Sequence, residues 1–307
     1  MKKILIIKHG SFGDIILSLY PIFSIKHNFK KSNITVLTES KYKDIFECIP
    51  FVNNIKIDNR ASFLSIIQNI KLIIWFKNQR FDWVFDLQTS RRTNIYFFFF
   101  SKLYKFYWSG IAKKSSHPHL SLNRTHLHTI DRHKQQLNVL GIKRFINPDW
   151  SLFISKNKAL NIRKPYVIVV PGGSRHRLSK RWKIEKFIEV IRFFSKLNLL
   201  TVLVGGSDEI SIMEEADEKR LKILNLIGKT TFLDLATLSQ EANIILGNDT
   251  GPMHFLVASS RQKTKNIVLF GNASDPKLCA PRGKNVVIVQ KENINEITPE
   301  EIKNLIN

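Results

Sequence analysis

The chain has 307 residues, 48 lysines and arginines against 25 aspartates and glutamates, a formal net charge of +23 and 43% hydrophobic side chains. Apolar residues this frequent and periodic exclude a disordered chain. Two cysteines, Cys48 and Cys279, are too few for a disulfide-stapled miniprotein and suit a reducing compartment. Met1-Lys2-Lys3 and the short apolar run Ile4 to Ile7 break at Lys8-His9-Gly10, so the start reads as a buried strand and not as a signal peptide. Strands are expected at 4–8, 33–38, 55–57 and 83–87, and helices at 15–29, 41–49, 63–77, 92–103 and 129–140. Residues 110–122, rich in His and Ser, read as loop. The pattern restarts after Asn147-Pro148 and Lys164-Pro165, which bracket a linker. Strands at 166–170, 200–204, 223–226, 244–247, 267–270 and 286–289 alternate with helices at 183–197, 209–221, 232–241, 252–259 and 299–306. Such alternation predicts two α/β, doubly wound parallel-sheet domains, whose ligands bind beyond the carboxyl ends of the strands.

The charge is uneven. Residues 1–150 hold 24 basic and 9 acidic side chains, a net +15, and residues 151–307 hold 24 and 16, a net +8. A positive field of this kind suits nucleic acid, an anionic membrane or a phosphorylated substrate. Codon usage in an AT-rich genome is a second source of lysine. No stretch is long and apolar enough to span a bilayer. The run Ile95 to Phe100, followed by Leu103, Tyr104, Phe106, Tyr107 and Trp108 among Lys102 and Lys105, reads as a core helix or as an interfacial anchor.

Three loops carry the chemistry. His9-Gly10-Ser11-Phe12-Gly13-Asp14 joins the first strand to a helix. Its glycines allow close backbone approach, and the helix start offers N–H groups to an anion. Asp14, at the first helical position, is either a capping carboxylate or a general base at the sheet edge. Pro171-Gly172-Gly173-Ser174-Arg175, with Ser179-Lys180-Arg181-Trp182 behind it, combines small residues, a hydroxyl and cations suited to a diphosphate. A solvated basic loop is the plainer reading. Gly247-Asn248-Asp249-Thr250-Gly251-Pro252-Met253-His254 joins strand to helix, with Thr250 and Gly251 at the N-terminus and Pro252 in the first turn. Five of the nine histidines, His117, His119, His126, His128 and His133, form two His-x-His pairs and a follower. A mobile loop without nearby cysteine is a poor metal site, so no metal is expected there.

Taken together, Lys3 to Pro21 with Gly13-Asp14, Phe81-Asp82 and Asp86-Leu87-Gln88, Pro171-Gly172 with Lys180-Arg181-Trp182, Asp249 to His254, and Phe270-Gly271 with Asp275-Pro276 resemble glycosyltransferase family 9, the lipopolysaccharide heptosyltransferases. The resemblance covers nearly the whole chain. It implies a GT-B fold, two Rossmann-like domains facing across a cleft, with an acceptor-binding domain over 1–155 and a nucleotide-sugar-binding domain over 156–307. It implies inverting, metal-independent transfer of heptose from ADP-heptose to the lipopolysaccharide inner core. Asp14 aligns with the catalytic base and Lys180 with a donor-phosphate lysine. Gly173, Ser174, Asp249, Thr250, Gly251 and His254 fall in the donor loops, and Glu209 near a ribose-binding carboxylate. Ser11, Gly13, Arg91, Arg92 and Arg132 fall on the acceptor side, with Arg124 a further candidate. The implied partners are a nucleotide sugar, an anionic lipid A-type glycolipid and, peripherally, the cytoplasmic face of the inner membrane. No cofactor is implied. Bulky His9 and Phe12 and the Gly172-Gly173 pair depart from the family pattern and bear on which sugar is accepted. The other readings are transfer of a different nucleotide sugar, a GT-B sugar-nucleotide epimerase, and a basic nucleic-acid-binding protein. For the last, no recognisable module is present.

Overall fold

The computed structural model describes residues 1–62, 64–155, 162, 165–173, 177–206, 221–283 and 285–306. They fall into two compact units, Met1–Asp149 and Trp150–Asn307. The first unit runs β1 (Lys2–Ile7), α1 (Phe12–Asn28), β2 (Ser32–Thr38), α2 (Lys43–Glu47), β3 (Val52–Ile57), α3 (Ile66–Gln79), β4 (Trp83–Asp86), α4 (Arg91–Phe100), β5 (Tyr107–Gly110), β6 (His117–Pro118) and α5 (Thr129–Asn138). The second runs β7 (Tyr166–Val170), α6 (Ile184–Lys196), β8 (Leu200–Leu203), β9 (Ile223–Asn225), α7 (Phe232–Ser239), β10 (Ile244–Asn248), α8 (Gly251–Ser259), β11 (Lys265–Phe270), α9 (Pro276–Cys279), β12 (Val286–Gln290) and α10 (Pro299–Ile306).

Each unit holds one six-stranded sheet, ordered β3-β2-β1-β4-β5-β6 in the first and β12-β11-β10-β7-β8-β9 in the second. Every strand pair is parallel. Numbered from its own first strand, each sheet has the Rossmann order 3-2-1-4-5-6. Strand composition explains why both sheets are covered on two faces. Ile4 to Ile7 and Val167 to Val169 are all 0% exposed, the unbroken apolar run of a parallel strand buried on both sides. Phe76, Phe100 and Trp108 sit in one core, and Phe187, Phe194, Leu246 and Leu269 in the other.

This order fixes the functional edge. Strand order reverses between β1 and β4 in the first unit and between β7 and β10 in the second. Crevices at strand carboxyl ends open at these switch points. The loops lying there are 8–11 and 87–90 in one unit, and 171–173 and 249–250 in the other.

Several elements differ from the sequence expectation. α1 begins at Phe12, with Ser11 as N-cap, so Asp14 is the third helical residue and not the first. The helix expected to reach 103 stops at Phe100, and Tyr107–Gly110 is a strand. The stretch 110–122 contains β6, paired to β5 only through Ser109↔His117 and Gly110↔Pro118. Two rungs leave no alternating pattern for a sequence to display. The helix expected over 209–221 lies outside the described residues, apart from Leu221. Among the described residues no helix is long and apolar enough to cross a membrane.

Candidate active site

In the second unit, β10 delivers Asn248, Asp249 and Thr250 directly into the start of α8. Gly247 is required on that strand. A Cβ there would stand 2.7 Å from Val170 Cβ and 2.8 Å from Met253 Sδ. The fully buried Asn248 amide stitches three loops together. Its Nδ2 donates to the Pro171 carbonyl at 2.7 Å and the Gly172 carbonyl at 3.1 Å, and its Oδ1 accepts from the Trp182 amide at 3.1 Å. The glycine-rich turn and the Lys180-Arg181-Trp182 segment are thereby tied to the end of β10. Gly173 faces Thr250, whose Cγ2 lies 3.7 Å from where a Cβ would be, and the Arg181 guanidinium donates to the Gly173 carbonyl.

Lys180 Nζ lies 2.6 Å from Asp249 Oδ2, which also accepts from Ser274 Oγ at 2.6 Å. His254 Nε2 lies 3.8 Å from the other carboxylate oxygen. Asp249 is buried, and the Lys180 side chain is 13% exposed. Thr250 is the N-cap of α8 with extended backbone, yet its buried hydroxyl has no hydrogen-bond partner among the described residues. Gly251 and Pro252 follow in the first turn. A helix start carries N–H groups without intrahelical partners. A hydroxyl, a cation and those amides therefore converge where an anion is best received.

In the first unit, Asp14 Oδ2 accepts from the Ser11 amide at 3.3 Å and the Ser11 hydroxyl at 3.2 Å. Asp14 is half-buried, Ser11 is exposed and Gly13 is buried. Gly10 has φ +142°, and a Cβ there would strike the Tyr42 ring, so the turn into α1 requires glycine. Beneath this turn Lys8 is buried, with Nζ 3.4 Å from the Leu87 carbonyl. Burial lowers the Lys8 ammonium below its ordinary value, while Asp14 and Asp86 favour its charged form. Arg132 and Arg124 oppose it, which places all five groups in one electrostatic cluster.

A buried carboxylate, Asp86, and a half-buried one, Asp58, have opposite tendencies beside that cluster. Burial pushes Asp86 up to about 6, although the Thr89 amide donates to it at 2.8 Å. Asp58 also feels burial, but bonds from His9 Nε2 at 2.9 Å and Tyr96 Oη at 2.5 Å outweigh it and hold the carboxyl at about 2. Thr89, in the loop between β4 and α4, adopts a left-handed φ of +46°, and its hydroxyl accepts from Arg124 at 2.6 Å.

The expected acceptor residues divide by what they touch. Arg91 is exposed. Arg92 bonds Tyr96 Oη at 3.1 Å and the Ala61 carbonyl at 2.7 Å, pinning the start of α4 to the 60–61 turn. Arg132 reaches the Leu127 carbonyl at 3.2 Å. Ser174 and Glu209 lie outside the described residues. The histidines take separate tasks. His119 bonds Gln135 at 3.0 Å, His128 Nδ1 accepts from the Ile130 amide at 3.1 Å, and His133 is buried, with burial pushing its value far down. Among the described residues no three His, Cys, Asp or Glu side chains are grouped to hold a metal ion. Sequence reasoning missed Lys8, Asn248 and Ser274 as parts of the site. The polar break after an apolar strand was the signal for Lys8, and adjacency to Asp249 the signal for Asn248.

Two Rossmann-ordered units, with an anion-receiving loop at the switch point of the second, have the architecture of a GT-B glycosyltransferase. The sequence profile of Glycosyltransferase family 9 (heptosyltransferase) matches residues 70–305, and the chain belongs to that family. It is similar to Lipopolysaccharide heptosyltransferase 3 of Escherichia coli K12, at 26% identity over 90% of this chain and 84% of that protein. It is also similar to the lipopolysaccharide core heptosyltransferase OpsX of Haemophilus influenzae, at 23% identity over 95% and 86%. Among solved structures, E. coli ADP-heptose lps heptosyltransferase II superposes with a TM-score of 0.77 at 17% identity, covering 100% of this chain and 98% of that one. A UDP-GlcNAc 2-epimerase from Methanocaldococcus jannaschii shares the fold with a TM-score of 0.58 at 14% identity, covering 100% and 99%.

Proposed function

We propose that this glycosyltransferase moves heptose from ADP-heptose to the inner core of lipopolysaccharide, with inversion at the anomeric carbon and without a metal ion. The observation that carries the reading is the convergence of Lys180, the Thr250 hydroxyl and the α8 N-terminus at the end of β10. That trio supplies a cation and oriented dipoles for the departing diphosphate. The second unit, 156–307 by sequence, binds the donor, and the first, 1–155, binds the acceptor.

In the reaction, Asp14 takes the proton of an acceptor hydroxyl as its oxygen forms a bond to the anomeric carbon. The bond from that carbon to the β-phosphate oxygen breaks, and its electron pair leaves with ADP. Negative charge grows on the diphosphate, where Lys180 and the Gly251 end of α8 stabilise it more strongly than in the ground state. These groups take the part that a divalent ion plays in other transferases. The Asp249 carboxylate, with Ser274 beside it, positions the Lys180 ammonium; His254 lines the same carboxylate. Gly173 permits close approach of the phosphates, Ser174 donates a hydroxyl, and Glu209 binds the ribose. On the acceptor side, Ser11 and Gly13 shape the turn around Asp14. Arg91, Arg92 and Arg132, with Arg124, meet the carboxylates or phosphates of a lipid A-type acceptor. The +15 of residues 1–150 suits an anionic glycolipid at the cytoplasmic face of the inner membrane, reached peripherally.

Donor titration by calorimetry, with turnover assayed with and without acceptor, tests the reading. ADP-heptose should bind more tightly than UDP-sugars, and Lys180→Ala should weaken it. Product should form only when an acceptor is added. Isomerisation of a nucleotide sugar without acceptor would instead establish an epimerase, and turnover of another nucleotide sugar would defeat the heptose assignment.

A further inference from the structure

α3 and α4 pack against one another on the first sheet, and their inner faces place Leu72, Phe76 and Phe100 in the core. Their outer face is apolar too. Ile66, Ile67, Ile70 and Ile74 are 66, 71, 47 and 52% exposed. At 3.6 residues per turn they fall within an arc of roughly 100°. α4 adds Phe98 and Phe99, at 54 and 44% exposed. A groove of about 330 Å³ runs between the helices, lined by Ile66, Ile70, Ile73, Ile95 and Phe99. Exposed leucines and isoleucines scattered singly need no explanation, but a contiguous cluster does.

The charge around this patch is predominantly positive, with the Asp58 carboxylate turned to His9 and Tyr96. Residues 59–81 and 87–130 contain no aspartate or glutamate and eleven lysines and arginines. Lys71 is exposed on α3, and Lys102 Nζ lies 3.8 Å over the Phe98 ring. An apolar centre with a mainly cationic border complements a surface that is apolar within and anionic at its boundary. A second copy of this chain would bring like charges together. The patch also has a defined direction. Both helices follow parallel strands, so Ile66 and Arg91 start at the strand-end edge that carries Asp14.

We propose that the outer face of α3 and α4 is the docking surface for an anionic phospholipid bilayer. The four isoleucines with Phe98 and Phe99 enter the acyl region, and Lys71 and Lys102 meet lipid phosphates. This deepens, and in its purpose rests on, the reading that the acceptor is a membrane glycolipid. Docking sets the Asp14 edge at headgroup level.

Vesicle flotation with the full chain tests it. Wild type should float with phosphatidylethanolamine vesicles containing phosphatidylglycerol, and less so with neutral phosphatidylcholine or as salt rises. Ile67→Ser with Ile70→Ser should lower the bound fraction roughly tenfold or more. Phe98→Ser with Phe99→Ser provides an independent pair on the other helix, should the first pair fail to fold. Lys71→Gln and Lys102→Gln should each cost roughly fivefold. Transfer to a soluble, deacylated acceptor should be unchanged in all these variants. Flotation needs no turnover, so a failed heptose assignment leaves this result standing. Wild type that does not float, variants that float as wild type does, or equal binding to neutral vesicles overturns the proposal. So does a dimer that Ile67→Ser with Ile70→Ser dissociates while vesicle binding is absent.

Discussion

Lys180 and Asp249, 69 residues apart in sequence, form an ion pair of 2.6 Å at the carboxyl end of β10. An ammonium carries three N–H donors, and the carboxylate takes one, so the pair aims the lysine without consuming it. Lys180→Ala should lower the rate of transfer by roughly 10²–10³, the usual cost of removing one charge-stabilising group. Asp249→Asn should cost less, since the amide still accepts a hydrogen bond. Combining the two should cost little more than Lys180→Ala alone, because residues acting as a unit are non-additive. Steady-state kinetics of the three variants checks this.

Asn248 supports the same site from below. Asn248→Ala removes three buried hydrogen bonds and leaves the Pro171 carbonyl, the Gly172 carbonyl and the Trp182 amide in search of partners. A cost of about 1–3 kcal/mol or more is expected, since a buried group left unsatisfied keeps its desolvation penalty with no hydrogen bond to offset it. Urea denaturation should report it, and donor affinity should fall with it because the glycine-rich turn is no longer tied to β10.

The framework of this site is legible in the sequence because chain-local signals carry it. The strands ending at Ile7, Val170 and Asn248 are apolar runs broken by glycine-bearing loops, which marks strand, turn and helix start together. The supports are not legible. Asn248 bonds residues 66 to 77 positions away, and Ser274 meets Asp249 because it follows β11, the strand paired beside β10. Lys8 reads as a break after a strand, yet the fold buries it under Asp14 and Asp86. The outer face of α3 is a different case. Its isoleucines match the helical period expected for a core, and only the structure shows them outside it.

The two carboxylates near β1 should shape stability against pH in opposite senses. Asp86 is raised by burial to about 6, so the fold prefers it protonated, and stability falls as pH rises from about 4 to about 6. Asp86→Asn should therefore gain on the order of 3 kcal/mol relative to wild type at pH 7 and little at pH 4. Asp58 is held at about 2, so its contribution is present above the unfolded carboxylate value and is lost as pH falls toward about 2. Asp58→Asn should destabilise by about 2 kcal/mol at neutral pH, allowing for its partial exposure. Melting curves of both variants across this range test the signs.

Asp14 bonds Ser11 at the start of α1, and the proposed mechanism gives it a second task, accepting the proton of the attacking hydroxyl. The two separate in experiment. Loss of a cap costs about 1 kcal/mol of stability, whereas loss of a general base costs roughly 10²–10⁴ in rate. The most direct measurement is single-turnover transfer from ADP-heptose to a deacylated, 3-deoxy-octulosonate-containing lipid A acceptor by wild type and Asp14→Ala. Transfer by wild type, with a rate in Asp14→Ala lower by roughly 10² or more and donor affinity unchanged, is the predicted result. Transfer by Asp14→Ala at the wild-type rate, or no transfer by wild type, would contradict the account.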